Sequence, residues 1–268
     1  MNLALVACVV VVVGTAAILF LKIKGSRENQ AQLDNLAGYV DAVAGGASDN
    51  GGSGGDSNET EKALTQEEIL ALRRKRLAGY QELQKTNGDM VGWIRIQGTK
   101  VDYPVMQTLS DPDFYLKHNF EKQKSVYGTP YLSVNCDVRD EDNNLVVYGH
   151  HMKDGSMFAG LKYYDDVNFF KEHPIVQFDT MDTPGDYQII GTFAATALEK
   201  EKALYEKMLC RDEAEFNDYV SEVKRRSYFD TGETAVYGDE LITLITCEYT
   251  HKEGRLFVVA KRIGELRE

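Results

Sequence analysis

The stretch LITLITCEYTHKEGRLFVVAKR, residues 241–262, combines a clear strand pattern with two reactive side chains. Two runs rich in β-branched and other apolar residues, 241–246 and 256–260, flank a polar loop, which is typical of an antiparallel hairpin. Cys247 ends the first run and Arg255 opens the second. Because neighbouring strands lie about 4.8 Å apart, the hairpin would bring a thiol and a guanidinium side by side.

Short apolar runs separated by turn residues continue through the chain from Val91 onward. Helical patterns occur in this part only near residues 156–172 and 201–226. The remaining apolar runs, broken by turn residues, are VGWIRI, KVDYPVM, SVYGTPYLSV, LVVYG, IVQFD, YQIIGTFAA, LITLIT and LFVVA. Eight short strands with interspersed turns predict a mostly β fold, a closed or nearly closed β-barrel.

The N-terminus carries an apolar segment. Residues 3–21 contain no charge and approach the ~20 residues that span a bilayer as a helix. The run is longer than the ~7–15 apolar residues of a signal peptide, and no cleavage site follows it closely. We therefore predict an uncleaved transmembrane anchor over residues 1–23. Lys22, Lys24 and Arg27 follow it, and by the positive-inside rule they favour a cytoplasmic C-terminal part.

A linker and a helix follow the predicted anchor. Residues 24–62 include the Gly- and Ser-rich stretch 44–60, which predicts a flexible tether. Thr65 begins an S/T-x-x-E capping box, and the apolar spacing after it predicts a helix that stops near Asn87. The domain that follows the tether spans residues 63–268.

Composition excludes several classes of function. The net charge of −12 argues against nucleic acid as a partner. The four cysteines include no CxxC pair and no zinc-like spacing, and no motif for a cofactor or a metal is present. Cys136 and Cys210 are interpreted as buried free thiols, with a disulfide between them as the alternative.

A nucleophilic cysteine needs an accessible thiolate and a base. Cys247 lies where a strand gives way to a loop, although a strand cysteine is more often a core residue. His150 follows the strand LVVYG, and His251 is four residues beyond Cys247. Spacing alone does not choose between these two histidines.

Several motifs resemble those of one enzyme family. TLITC (243–247) followed by Arg255 resembles the active-site signature TLxTC…R of sortases. LVVYGHHM (145–152) resembles the sortase segment in which the catalytic histidine follows a glycine, and this selects His150. Similarity to class B sortases in particular comes from GWIRIQGTKVDYPVMQ (92–107), DFYLKHNF (113–120) and YGTPYLS (127–133). The resemblance covers roughly residues 63–268.

The resemblance implies a fold and a reaction. The fold is an eight-stranded sortase-type β-barrel with an N-terminal helical extension and a late inserted helix, here 201–226, behind one transmembrane helix. The reaction is transpeptidation outside the membrane. Cys247 would attack the carbonyl after threonine in an NPxTx-like C-terminal sorting signal, His150 would act as general acid and then base, and Arg255 would hold the carbonyl or its oxyanion. The surface protein would pass to a peptidoglycan precursor amine without a cofactor.

The resemblance also implies contacts to the peptide. Leu116, Tyr148 and Glu248 match positions at which class B sortases contact their substrate. Thr246 either lines the oxyanion site or is simply a strand threonine. One departure is Ile245, where class B members often carry serine.

Three alternatives stay open at this stage. A pilin-polymerising sortase is one, because Asp111-Pro112-Asp113-Phe114 is similar to the lid of those enzymes, although we interpret it as a turn. A cysteine hydrolase of wall peptides would use the same thiol and imidazole. A non-catalytic β-barrel binding module would not need Cys247.

Overall fold

The computed structural model describes residues 3–45, 66–139, 144–196, 201–248 and 254–264. Side chains are described from Ile23 onward, except at positions 45, 66, 69, 70, 247 and 248. The chain divides into two compact units, Met1–Gly38 and Tyr39–Glu268.

The first helix, α1, spans Leu3–Gly45. In the part of the chain whose side chains are described, no helix combines the length and apolarity needed to cross a membrane. The anchor predicted over residues 1–23 lies almost wholly before that part, and it stays a prediction.

The prediction of a flexible linker is wrong for its first part. Residues 24–45 belong to α1, because they include four alanines, contain no proline, and repeat Leu33, Leu36 and Val40 at helical spacing. The Gly- and Ser-rich rest of the predicted linker, residues 46–62, lies outside the described residues.

The second helix, α2, spans Gln66–Thr86 and ends before Asn87, as predicted. Its apolar side packs on the barrel, where Tyr80 stacks on Trp93 with ring centroids 5.3 Å apart. Arg73 extends from the same side of the helix towards the barrel and pairs with Asp179 and Asp186.

Eight strands form a closed barrel, which confirms the predicted fold class. Their order around the barrel is β1-β2-β3-β4-β7-β8-β6-β5. Two neighbouring pairs, β2 with β3 and β4 with β7, are parallel, and the other pairs are antiparallel. The strands are β1 (Met90–Arg95), β2 (Asp102–Met106), β3 (Tyr131–Leu132), β4 (Asn144–Tyr148), β5 (Ile175–Thr180), β6 (Asp186–Thr196), β7 (Leu241–Glu248) and β8 (Gly254–Ile263).

The helical pattern near residues 156–172 forms two short elements. A 3-10 helix spans Phe158–Asp165, and α3 spans Val167–Glu172. Asp166 separates them because its side chain accepts a hydrogen bond from the backbone N–H of Asn168 and so caps α3.

The single late helix predicted over 201–226 is wrong, because the structure has two helices there. α4 spans Lys202–Lys207 and α5 spans Glu213–Arg226. The break has two local causes: Cys210 adopts a φ of 50°, and the Asp212 side chain caps α5 by accepting from the N–H of Glu215.

A buried polar cluster joins these helices to the barrel. Asn144 on β4 donates from Nδ2 to the Met208 carbonyl oxygen, at 2.7 Å. Its Oδ1 accepts from the Thr243 hydroxyl at 3.0 Å, and Tyr219 of α5 shares a hydrogen bond with that same hydroxyl. The cluster holds the break between α4 and α5 against β4 and β7. Cys136 and Cys210 are both buried, as predicted, and no disulfide joins them.

Candidate active site

Three chain segments meet at one edge of the barrel. β4 and β7 are parallel neighbours, with Tyr148 opposite Ile245, so both strands end at this edge. β8 runs antiparallel to β7 and therefore begins there. The structure thus brings the backbones of His150, Cys247 and Arg255 to one place, although they are far apart in sequence.

Cys247 lies directly opposite Arg255 in the β7–β8 register, which confirms the predicted hairpin. Residues that face each other across two strands project from the same side of the sheet. Arg255 is half-buried, and its Nη1 donates to the Gly254 carbonyl oxygen at 2.9 Å. The side chains of Cys247 and Glu248 and all of His251 lie outside the described residues.

His150 is held by a backbone carbonyl. Its Nε2 lies 2.7 Å from the carbonyl oxygen of Leu116. A carbonyl can only accept a hydrogen bond, so this contact assigns a proton to Nε2. Nδ1 is then the ring atom left to exchange a proton with a reacting group.

Gly149 fixes the backbone that presents His150. Its N–H donates to the Ile245 carbonyl oxygen at 3.0 Å, which extends the β4–β7 pairing by one residue. A Cβ at this position would lie 2.6 Å from the ring of Phe158, whose own N–H donates to the His150 carbonyl oxygen. The end of β4 can therefore pack against the Phe158 ring only because residue 149 is a glycine.

Leu116 contributes its main chain to the site. It ends a 3-10 helix, Phe114–Leu116, whose turn is closed by the Leu116 N–H donating to the Asp113 carbonyl oxygen at 3.0 Å. The Asp111–Phe114 stretch is a turn, as predicted, and leads directly into this helix. The predicted contact of the half-buried Leu116 side chain with a peptide stays a prediction.

Three tyrosines lie within electrostatic range of Arg255. Burial raises the pKa of Tyr148 to about 12, and the positive charge of Arg255 opposes the shift. Burial also raises the pKa of Tyr131 and of Tyr205, again opposed by Arg255. Tyr148 stacks on Tyr131 with ring centroids 5.5 Å apart, and Tyr205 packs edge-on against Phe257.

Three buried hydroxyl groups near the start of β8 have no hydrogen-bond partner among the described residues: those of Thr196, Tyr205 and Thr246. Thr196 pairs with Gly254 in the β6–β8 register, and Thr246 pairs with Leu256. Native proteins pair almost all such groups, so unpaired ones mark a place where a water or a ligand is expected.

Two predicted neighbours of the nucleophile occupy different faces of β7. Side chains alternate along a strand, so Ile245 and Thr246 point to opposite faces of β7, and each is 2% exposed. Ile245 sits in register between Tyr148 and Phe257. Thr246 is therefore a buried strand threonine, and Ile245 presents an apolar side chain where the resemblance to class B sortases would place a serine hydroxyl.

Sequence reasoning missed Tyr131, Tyr205 and Asp113. Asp113 is exposed, and one of its carboxylate oxygens accepts from the Tyr131 hydroxyl at 3.3 Å. Tyr131 lies in a motif that the sequence did single out, YGTPYLS, but nothing there indicated a neighbouring arginine. Tyr205 reaches the site only because α4 folds back beside β8, a contact between distant segments that no local pattern predicts.

Comparison with known proteins identifies the family. The model of the sortase domain matches residues 94–263. The chain is 34% identical over 184 residues to sortase B of Listeria monocytogenes, a match that covers 68% of this chain and 73% of that protein. The chain belongs to the sortase B family.

Solved sortase B structures share the fold. A Staphylococcus aureus sortase B–substrate complex superposes with a TM-score of 0.64 at 28% identity, over 73% of this chain and 90% of that one. A sortase B complexed with triglycine gives a TM-score of 0.63 at 29% identity, over 69% and 86%. This protein is thus a cysteine transpeptidase of the kind that anchors surface proteins to the cell wall.

Proposed function

We propose that this sortase B cleaves an NPxTx-like C-terminal sorting signal after its threonine and joins the surface protein to a peptidoglycan precursor amine. The observation that carries the proposal is the register pair of Cys247 and Arg255, with His150 ending the strand next to it. A nucleophile, a cation and a proton carrier then share one edge of the barrel.

In the first step, the thiolate of Cys247 attacks the carbonyl carbon after threonine. Arg255 stabilises the negative charge that develops on the carbonyl oxygen, as a fixed guanidinium is suited to do. The carbon–nitrogen bond of the signal breaks, and His150 donates the proton that its leaving amine requires. The product is a thioester on Cys247.

In the second step, an amine replaces the thiol. His150, now neutral, takes a proton from the attacking amine through Nδ1, because Nε2 is committed to the Leu116 carbonyl. The new carbon–nitrogen bond forms, the carbon–sulfur bond breaks, and the thiolate of Cys247 leaves. Support for both partners comes from relatives of which one is a substrate complex and another is complexed with triglycine.

Leu116, Tyr148 and Glu248 are proposed to contact the peptide. Tyr205 adds a buried hydroxyl near Arg255. The apolar side chain of Ile245 favours contact with an apolar residue of the peptide over one that forms hydrogen bonds. Thr246 is proposed to support the strand from its other face.

We place the catalytic domain outside the membrane, tethered through residues 46–62 and anchored through residues 1–23. Membrane lipid is then a partner through the anchor. The orientation runs against the positive charges at Lys22, Lys24 and Arg27.

The test is mass spectrometry of the whole chain in detergent with an NPQTN-type peptide and triglycine. We expect a thioester on Cys247 that disappears in Cys247→Ala, and turnover that stalls in His150→Ala. A stall in His251→Ala instead would transfer the base role to that residue. Peptide hydrolysis with no transfer to any amine would favour the wall-peptide hydrolase.

A further inference from the structure

The 3-10 helix that holds His150 also carries a carboxylate. Asp113 immediately precedes Phe114–Leu116, and its carbonyl oxygen closes the turn by accepting from the Leu116 N–H at 3.0 Å. The carbonyl oxygen of Leu116, at the other end of this helix, lies 2.7 Å from Nε2 of His150. The backbone of Asp113 is therefore fixed one turn away from the carbonyl group that contacts His150.

A second contact ties the carboxylate to the catalytic edge. The Tyr131 hydroxyl donates to Asp113 Oδ1 at 3.3 Å, and the Tyr131 ring stacks on Tyr148, two residues before His150. The charge of Asp113 contributes to the raised pKa of both tyrosines, the same two that sense Arg255. The charge of Asp113 thus lies close to both tyrosines, although its side chain is exposed.

Asp113 retains hydrogen-bonding capacity that a nearby aspartate lacks. Asp154, in the loop after His150, accepts from the Tyr127 hydroxyl at 3.0 Å and from both the N–H and the hydroxyl of Ser156. Asp113 accepts the one long bond from Tyr131, and within the described part of the chain no lysine or arginine forms an ion pair with it. A carboxylate with free lone pairs suits a ligand that brings several N–H donors and a positive charge.

We propose that Asp113 binds the ammonium group of the incoming acceptor and so selects a primary aliphatic amine for the second half-reaction. This inference rests on the transpeptidation proposed above. It also implies that an acceptor with a free carboxylate next to its amine is disfavoured, because two carboxylates repel each other.

The proton balance fits this placement. The acceptor binds as R–NH3⁺ and releases one proton to solvent to become R–NH2. As its nitrogen attacks the thioester carbon, a second proton passes to Nδ1 of His150. The carbon–nitrogen bond forms, the carbon–sulfur bond breaks, and Cys247 leaves as a thiolate beside an imidazolium. Asp113 holds the acceptor before deprotonation and takes no proton itself, so it is a binding residue.

The experiment compares two acceptors in the full chain carrying Asp113→Asn. Asparagine keeps the size of the side chain and an oxygen acceptor for Tyr131. Triglycine offers an ammonium group, whereas hydroxylamine is uncharged near neutral pH. We expect kcat/KM for triglycine to fall about three- to tenfold, as for loss of one partly exposed charge-assisted bond. Hydroxylaminolysis and the rate of peptide cleavage should stay unchanged.

Asp111→Asn is the matched control, since it removes an exposed carboxylate two positions away in the same turn. It should partition the thioester between triglycine and water as the wild type does. Equal losses with triglycine and hydroxylamine, or slower peptide cleavage, would overturn the proposal in favour of support for His150. A wild-type chain that forms no thioester would overturn the proposed function as well, whereas normal thioester formation with unchanged partitioning in Asp113→Asn would overturn this inference alone.

Discussion

An arginine lies near each end of β6, and the two arginines have different partners. At its first residue, Asp186, the strand joins Asp179 in pairing with Arg73, whose side chain is 12% exposed. At its other end, Ala195 lies in register with Arg255, for which the described residues supply a carbonyl oxygen and no carboxylate. The buried hydroxyl of Tyr205, which has no hydrogen-bond partner among the described residues, lies within electrostatic range of this second arginine. A paired arginine holds a fold together, and an unpaired one is available to a substrate.

The comparison predicts that Arg73→Ala costs stability and leaves chemistry intact. The substitution leaves Asp179, whose side chain is 8% exposed, without its cation. Breaking a buried pair in this way costs about 3–5 kcal/mol. Urea unfolding should show this loss, while kcat of the folded fraction stays within about twofold. A large fall in kcat at full stability would contradict the assignment.

Arg255→Ala should do the reverse. Loss of one fixed donor to an oxyanion lowers kcat by about 10²–10³. Because Arg255 is half-buried and unpaired with a described carboxylate, the unfolding midpoint should barely move. Thioester formation in single-turnover kinetics is the measurement, and Arg255→Lys should recover only part of the rate, since lysine cannot present a planar fork.

Asn144→Ala probes the polar cluster beneath the site. It leaves the Met208 carbonyl and the Thr243 hydroxyl without this partner in the interior, at a cost of about 2–3 kcal/mol. The break between α4 and α5 should loosen, and KM for the peptide should rise more than kcat falls. If KM stays constant while stability falls, the cluster stabilises the barrel and does not position α4, which carries Tyr205.

Gly149→Ala tests how closely the base must be placed. The new methyl group would meet the Phe158 ring at 2.6 Å, so the end of β4 must shift and move His150. We expect about a tenfold fall in kcat, because small displacements of catalytic groups are costly. Gly88→Ala, where nothing lies within 4 Å of the added atom, is the control and should leave kcat unchanged.

The smallest effect concerns pH. Hydrogen bonds from Arg225 and Arg226 lower the pKa of Glu222 on α5. A lowered folded pKa stabilises the protein above the unfolded value of about 4.3 and stops doing so as pH falls through the folded value. Glu222→Gln should therefore reduce stability by less than about 1 kcal/mol at pH 7 and flatten its decline in acid. An unchanged acid limb in thermal melts would contradict this.

Local pattern predicted much of the barrel. Runs such as LVVYG and LITLIT are continuous and apolar because β4 and β7 are covered on both faces, and this made them recognisable as strands. The break in the late helix was missed because the apolar residues on both sides of it keep helical spacing. That spacing concealed the cap at Asp212 and the left-handed conformation of Cys210. The helical continuation of α1 was missed because the glycines after Gly45 indicate a linker, and the prediction extended that linker too far towards the N-terminus.

In the candidate site as well, some contacts could be predicted from local sequence and others could not. The pairing of Cys247 with Arg255 followed from one hairpin, so the sequence was sufficient. The contact of His150 with the Leu116 carbonyl joins segments 34 residues apart, and the approach of Tyr205 to Arg255 depends on how α4 packs. Such contacts follow from tertiary packing, which leaves no periodic signal.

The parallel pairing of β4 with β7 has a consequence for folding. Asn144 meets Leu241 only after the whole intervening chain has looped out and returned, so this contact forms late and at a high entropic cost. In the mechanism proposed above, Cys247 has no proton carrier beside it until this contact forms. An incompletely folded chain would then carry no activated nucleophile, and the proposed reactivity would begin only when the barrel closes.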